Sequence, residues 1–514
     1  MADSVGDQGE TSSPASTCVQ LDPMKFKVYE TKTRLYLIGE IKQRNQRRIL
    51  KIDRTTDPQE ILVSEDPYVY SEVECAAALR AIDDGNRNHG GLRLVTKAYA
   101  IVGCIRFLKG MYLILVTQRK PLGSICGHMI YGIADTTVIP IQWDERWKKG
   151  CTSAAMLDYM IASTNLSTDP TSLDERRYCR LLALVELKKD FFYSHTYHVY
   201  ASLQVNSLSK SDSAEDPYSN MFVWNEFLTR DMRSLLGTSA ALWMVPIVHG
   251  FFEQRRLSVF GRAFNMTLIS RRSRFFAGTR YLKRGVNDSG QVANDVETEQ
   301  IIDINQDTTT GTPRLTSVVQ NRGSIPLFWS QETSRFSPKP DIMLQKYDPL
   351  YQATFMHFRD LAERYGQPTI ILNLIKAVEK HPREMILRRE FANAVSYLNT
   401  QLDADEQLAY IHWDFSKHTK MRGVGVLAEL EHIIGSALQL TDFFCLRPER
   451  PMSVEARCAN IMDASDSSPS PWVCPLATST TIGAGFTQTA AIERGSTCCL
   501  LGLQWGRGVM VGTI

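Results

Sequence analysis

Apolar and polar positions alternate from Lys25 onward. Phe26 and Val28 share one face of an extended run, and Leu35 and Leu37 alternate with Tyr36 and Ile38 in the next. Two period-two runs in succession predict a hairpin, and Ile49–Ile52 predicts a further strand. Ser71–Asp84 switches to helical spacing, with Val73, Ala77 and Leu79 near one face. Strand-like runs follow at Leu92–Val102, Met111–Thr117 and Gly123–Ile133, while residues 142–180 are less regular. Residues 205–217 are polar and rich in Ser and Asp, which predicts a loop. Farther on, helical patterns at 347–366, 383–402 and 424–440 alternate with short apolar runs at 369–373 and 409–413. Such alternation predicts an α/β layer. The fold class expected is an α+β N-terminal part, followed by an incomplete α/β part with a mixed sheet and flanking helices.

Composition narrows the setting. The chain has 514 residues, 43 % of them hydrophobic and 22 % charged, enough for two or three domains with cores. Its 58 basic and 56 acidic residues leave a net charge of +2, which argues against a dedicated nucleic-acid binder. The 11 cysteines are scattered and read as thiols of a reducing compartment. Residues 1–23 are acidic and Ser-rich, without the apolar core of a signal peptide, and read as a flexible leader. The most apolar run, Ala240–Phe252, is too short to span a bilayer and reads as a buried strand or helix. The last segment differs in kind: no lysine follows Lys420, and residues 451–514 hold only seven charged residues but four cysteines. Residues 447–514 are expected to be a divergent, irregular tail, as an altered reading frame or alternative exon would give.

Several residue groups invite chemistry. Gly423-Val-Gly425 opens a helical pattern, but His-Thr-Lys-Met-Arg precedes it where a dinucleotide fingerprint needs a buried strand. His195 with His198, and His412 with His418, lack a cysteine or carboxylate at metal-site spacing and read as ordinary histidines. Cys104, Cys126 and Cys179 read as buried, inert thiols. The densest basic cluster is Arg271, Arg272, Arg274, Arg280, Lys283 and Arg284, interleaved with Phe275, Phe276 and Tyr281. It suits either a solvated charged face or phosphate recognition, since guanidinium forks match phosphate oxygens. An acidic run from Asp288 to Glu299 follows it, which favours a small phosphorylated ligand over nucleic acid.

That same stretch carries a family likeness. Arg271-Arg-Ser-Arg-Phe-Phe-Ala-Gly-Thr-Arg280 and its continuation to Gln300 resemble the central block of Sac-domain phosphoinositide phosphatases. Gly91–Cys104 and Lys189–Tyr197 look like the N-terminal half of that family, and Gly323–Gln331 and Ile411–His418 like its later half. The opening from Met24, with Leu50–Arg54 and Ser64–Pro67, is similar to the vacuolar polyphosphoinositide phosphatase branch, and within it to plant members. The likeness spans roughly residues 24–446. It implies an N-terminal subdomain over 24–180 and a catalytic subdomain over 181–446. It also implies removal of the 5-phosphate from phosphatidylinositol 3,5-bisphosphate on the cytosolic face of the vacuole or another endomembrane, alongside a scaffold protein and a phosphoinositide kinase. Asp414, Lys417 and His418 are expected near the catalytic loop. Asn287, Asn294, Glu297 and Glu299 are expected to hold turns of the central block.

The chemistry the family implies is attack by a cysteine thiolate on phosphorus, giving a phosphocysteine that water hydrolyses. That step requires no metal cofactor; a dependence on magnesium is left open. The loop is Cys-x5-Arg, whose amides and guanidinium wrap the phosphate and lower the thiol pKa. None of the 11 cysteines here is followed by arginine six residues later. Cys445-x4-Arg450 is one residue short and includes Pro448 and Glu449. The expectation is a chain without phosphatase turnover, with lipid-headgroup or scaffold binding as the alternative role.

Overall fold

The computed structural model describes residues 25–41, 45–142, 170–208, 216–259, 261–279, 282–304, 315–331, 341–379, 384–419, 426–441, 443–446, 504–505 and 508–513. The alternating N-terminal segment forms β1 (Lys25–Glu30), β2 (Arg34–Ile41), β3 (Gln46–Asp53), β4 (Val63–Glu65) and β5 (Arg93–Ala98). Their sheet has the order β4-β3-β2-β1-β5, all antiparallel, with Phe26, Val28, Leu35 and Leu37 buried on one face. Helix α1 (Glu72–Asn86) covers the other face through Cys75 and Leu79. It starts where Ser71 and Glu74 form a reciprocal cap, each side chain accepting the other's backbone N–H.

A larger mixed sheet fills the rest of the structure. Its strands are β6 (Ala100–Arg106), β7 (Met111–Ile125), β8 (His128–Pro140), β9 (Phe191–Tyr193), β10 (Val248–Val259), β11 (Arg262–Arg272), β12 (Val296–Asp303) and β13 (Leu315–Gly323). A small hairpin of β14 (Trp329–Gln331) and β15 (Ile342–Leu344) stands apart. Then come β16 (Thr369–Asn373), β17 (Ala409–His412), β18 (Phe444–Leu446), β19 (Gln504–Trp505) and β20 (Gly508–Thr513). The order runs β17-β16-β20-β13-β12-β11-β10-β9-β8-β7-β6. Strands β17, β16, β20 and β13 are mutually parallel, and the run from β13 to β6 is antiparallel. The sheet is continuous across residue 180, because β8 pairs with β9. Met111–Thr117 lies on the first long strand of a hairpin, while Gly123–Ile133, expected as one strand-like run, is broken by the turn at Cys126 and Gly127, both at positive φ, with Gly123–Ile125 ending β7 and His128–Ile133 opening β8. Ala240–Phe252 divides into a short helix and the start of β10. The irregular 447–514 segment supplies β19 and β20, and β20 sits inside the sheet.

Helices α2 (Pro170–Ala183), α3 (Leu203–Leu208), α4 (Glu226–Leu236) and α5 (Ala240–Trp243) belong to the β6–β10 half, and α6 (Gln352–Tyr365), α7 (Glu384–Asn399), α8 (Phe415–His418) and α9 (Val426–Thr441) to the parallel half. Alternate residues of β16 face opposite sides. Ile371 meets α6 and α7 through Phe358, Leu361 and Phe391, while Ile370 and Leu372 meet α9 through Leu430 and Ala437. All five β16 residues are buried, as expected of a parallel strand covered on both faces. Mixed sheets with flanking helices are thus the fold class, as the residue pattern implied.

Candidate functional site at the carboxyl edge of the sheet

Gly323, Thr513, Asn373 and His412 lie in one register row across β13, β20, β16 and β17. Each ends or nearly ends its strand, so the segments that follow leave the sheet along one edge. Ligands of open α/β sheets bind beyond such carboxyl ends. The 273–295 segment, which joins β11 to β12, leaves the same edge: Arg272 pairs with Val296, and Val296 with Arg322.

Short hydrogen bonds fix this edge. Asn373 is fully buried; its Nδ2 donates to Tyr410 Oη at 2.6 Å and its Oδ1 accepts from Ile375 N–H at 3.2 Å. His412 Nε2 donates to the Ile375 carbonyl at 2.9 Å, which assigns the proton to that nitrogen. Asp414 accepts from Ala377 N–H at 2.6 Å and from Lys417 N–H at 2.9 Å. Burial pushes the Asp414 carboxyl up, yet these donors outweigh it and hold it below the ordinary range. His418 turns to α9, with Nδ1 2.5 Å from Glu429 Oε2 and its ring stacked on Trp413. Lys417 is exposed. Of the three residues expected near the catalytic loop, Asp414 clamps two loops, His418 faces a helix, and Lys417 is exposed without a carboxylate partner among the described residues.

The basic cluster divides. Arg271 has no exposed surface: Nε donates to Val199 O at 2.7 Å, Nη1 to Glu297 at 2.7 Å, and Nη2 to Glu299 at 2.5 Å and to Ala201 O at 2.9 Å. Burial opposes its charge, but the two carboxylates outweigh burial and keep it protonated. The expectation that Arg271 meets ligand phosphate is therefore corrected; it ties β11 to β12 and to the 199–201 segment. Glu297 and Glu299 serve that core rather than a turn: Glu299 also accepts from Leu203 N–H and Ser317 Oγ, and Glu297 from Tyr365 Oη. Arg274 stacks on Phe275 at 4.5 Å with Glu226 at 3.7 Å, Lys283 lies over Phe276 at 4.9 Å, and Arg284 lies over Trp329 and donates to Gln331. Arg280 lies outside the described residues. Asn287 and Asn294 do shape the loop: Asn287 Oδ1 accepts from Ser289 and Gln291 N–H, and Asn294 adopts positive φ.

Arg272 and Arg322 form the pairing that the residue pattern did not single out. They stand on the half-exposed face, separated in the row by Val296, so their backbones are about 10 Å apart. Arg272 donates to the Gly278 carbonyl at 2.7 Å and to Asn294 Oδ1 at 2.9 Å. Burial first, then the nearby Arg322 charge, lowers its pKa. Among the described residues neither guanidinium is bonded to a carboxylate. Two neighbouring cations left unneutralised make a place for an anion. The residues of β13 do not alternate in polarity, with Ser317 and Asn321 on the buried face and Val318 on the half-exposed one, so the sequence carried no local signal placing Arg322 there.

Four of the described thiols are held away from the thiolate form. Burial raises Cys75 and Cys104 and pushes Cys179 to about 12, whereas Cys126, expected to be buried, is exposed at the β7–β8 turn, where desolvation by its surroundings pushes its thiol to about 11. Cys445 is exposed on β18 but pairs with Thr316, seven residues back along β13 from Gly323. It therefore lies about 23 Å from the carboxyl edge at ~3.3 Å per residue. The remaining cysteines lie outside the described residues.

The fold is a mixed α/β sheet with flanking helices, whose carboxyl edge carries Arg272 and Arg322, and comparison with known proteins gives the family. The model of the SacI homology domain matches residues 99–420. The chain belongs to the SacI homology domain family. It is 51 % identical over 420 residues to phosphatidylinositol-3-phosphatase SAC1 of Arabidopsis thaliana, and 50 % identical over 421 residues to phosphoinositide phosphatase SAC2 of the same plant. The polyphosphoinositide phosphatase of Schizosaccharomyces pombe is 37 % identical over 429 residues. Each match takes in 82 % of this chain but only 43 %, 49 % and 48 % of the relative, so the chain spans about half the length of the curated relatives it matches. Among the described residues no helix is long and apolar enough to cross a membrane.

Proposed function

We propose that this chain binds the headgroup of a polyphosphoinositide, phosphatidylinositol 3,5-bisphosphate, at the carboxyl edge of its mixed sheet, and does not turn it over. The observation that carries the reading is the Arg272–Arg322 pair, two guanidiniums on one half-exposed row without carboxylate partners among the described residues. A headgroup with more than one phosphate suits two guanidiniums carried on strands whose backbones are about 10 Å apart. The relatives' names supply the class of lipid, and the likeness to the vacuolar branch supplies the 3,5-bisphosphate. That branch also points to the cytosolic face of the vacuole or another endomembrane, with a scaffold protein and a lipid kinase as companions.

Turnover is withheld because the 514 residues contain no Cys-x5-Arg, and the thiols of Cys75, Cys104, Cys126 and Cys179 are all pushed above their ordinary pKa. Without thiolate and loop arginine, nothing at the edge attacks phosphorus. Calorimetric titration with dibutanoyl phosphatidylinositol 3,5-bisphosphate, with inorganic phosphate assayed in the same cell, tests both halves. Binding without phosphate release is expected. Phosphate release above buffer overturns the inactive reading, and affinity unchanged in R322A overturns the site.

A further inference from the structure

Three segments at the carboxyl edge each carry an exposed apolar side chain close to a lysine. Leu282, 78 % exposed, precedes Lys283 in the 273–295 segment, and Val378, 83 % exposed, follows Lys376 beyond β16. Tyr347, 82 % exposed, follows Lys346. Lys346 lies over the Phe328 ring at 4.7 Å and reaches Asp288 at 2.7 Å, which holds Tyr347 beside the turn of the 273–295 segment. Single exposed apolar residues are ordinary on any surface. Here three of the most exposed in the structure gather at the edge that also holds Arg272 and Arg322.

We propose that this edge docks on an anionic bilayer, with Leu282, Tyr347 and Val378 entering the interfacial layer and Lys283, Lys346 and Lys376 at the level of the lipid phosphates. The proposal rests on the headgroup reading above, since it brings the same edge to the lipid. Lysine stems lie along apolar surface while their ammoniums reach outward, and tyrosine suits the interface with its apolar ring and polar tip. Charge complementarity supports a bilayer: residues 272–284 contain no acidic residue, and Arg272, Arg274, Lys283 and Arg284 are its described basic side chains, each at least partly exposed. Asp288 pairs with Lys346, and Glu379 and Glu384 with Lys376, so these two lysines are balanced by carboxylates, while among the described residues Lys283 is not. The three apolar side chains stand on three different segments rather than in one run, which favours a bilayer over a protein partner. A protein interface needs a contiguous surface of roughly 800 Å² per side, whereas a bilayer receives isolated side chains.

The test is flotation of the full chain with phosphatidylcholine vesicles containing about 20 mol % phosphatidylserine. The variants are L282D/V378D, Y347D and, as a control away from the edge, L184D, whose side chain is 76 % exposed beyond α2. The double variant should lower the bound fraction roughly tenfold, Y347D should lower it in the same direction, and L184D should leave it unchanged. Binding of soluble inositol 1,3,5-trisphosphate, the free headgroup, should be the same in all four proteins. Vesicle binding that is absent, or indifferent to L282D/V378D, overturns the proposal. Self-association of the parent chain that the double variant abolishes also overturns it, by assigning the face to a second copy. Failure of the free headgroup to bind, with vesicle binding still sensitive to L282D/V378D, overturns the headgroup reading and leaves the docking surface standing.

Discussion

Asp414 joins the segment after β17 to the segment after β16 through Ala377, whose N–H lies 2.6 Å from Oδ2, while Oδ1 caps α8 at Lys417. One carboxylate thus fixes the spacing of two loops at the candidate site. Replacing it leaves a half-buried N–H without its acceptor, so D414A should lose about 1–3 kcal/mol at pH 7 by urea denaturation. The sign with pH follows from a carboxyl held below its ordinary range. Its stabilisation is whole above the unfolded value of ~3.9 and is lost as pH falls below that. The gap between parent and D414A should therefore close on acidification, and a gap that widens in acid contradicts this role.

Arg271 answers to stability. R271A leaves Glu297 and Glu299 facing each other in the core without their cation. Breaking a buried pair from one side costs about 3–5 kcal/mol. Denaturant midpoints should fall accordingly, while the protein that remains folded at low temperature binds headgroup with near-parental affinity. A stable R271A that fails to bind would return Arg271 to the site.

Arg322 answers to binding. Its guanidinium is half-exposed, so R322A should change stability by no more than about 0.5 kcal/mol. Loss of a charge-assisted contact worth about 1.5–3 kcal/mol should lower headgroup affinity at least tenfold. R322K, which keeps the charge but not the fork, should recover part of it.

Asp295 works in the opposite direction to Asp414 on the pH axis. Burial pushes its carboxyl up to about 6, against the pull of Arg364. The folded state therefore holds this proton more tightly than the unfolded chain does, and stability is lost as pH rises from ~4 towards 6. D295N removes that ionisation, so the difference in midpoint between variant and parent should grow across the interval and level off above it. A difference independent of pH contradicts the assignment.

Gly285 lies at φ +69°, and a Cβ there would stand 2.2 Å from the Leu327 carbonyl. G285A is expected to lose about 1–3 kcal/mol by thermal denaturation and to disturb the 273–295 segment. An alanine variant with parental stability would mean the segment readily shifts away from 324–329.

The strands were legible where one face is buried, as with Phe26 and Val28 in β1, because a two-residue period then shows directly, whereas β2 buries Leu35 to Gly39 without a break and was legible as an apolar run. Helices α6, α7 and α9 were legible from their spacing. The site was harder. A run of basic residues says that charge is dense but not where each side chain goes. Arg271 and Arg272 are adjacent in a strand and point to opposite faces, one into a carboxylate pair and one outward. Arg322 stands alone in the sequence and gains its meaning only from strand register. The eight residues of β19 and β20 show no patterned run, since two short strands are drawn into place by neighbours rather than by local preference.

Strand β20 has a consequence for how the chain matures. It is wedged between β13 and β16, which make no ladder with each other, yet it comes from far later in the sequence than either. Until that piece arrives, the nascent sheet holds an open slot with two rows of unsatisfied amides and carbonyls flanking it. Such a slot invites capture of a strand from a neighbouring molecule. Quality control during synthesis would meet this protein as a split sheet waiting for its keystone.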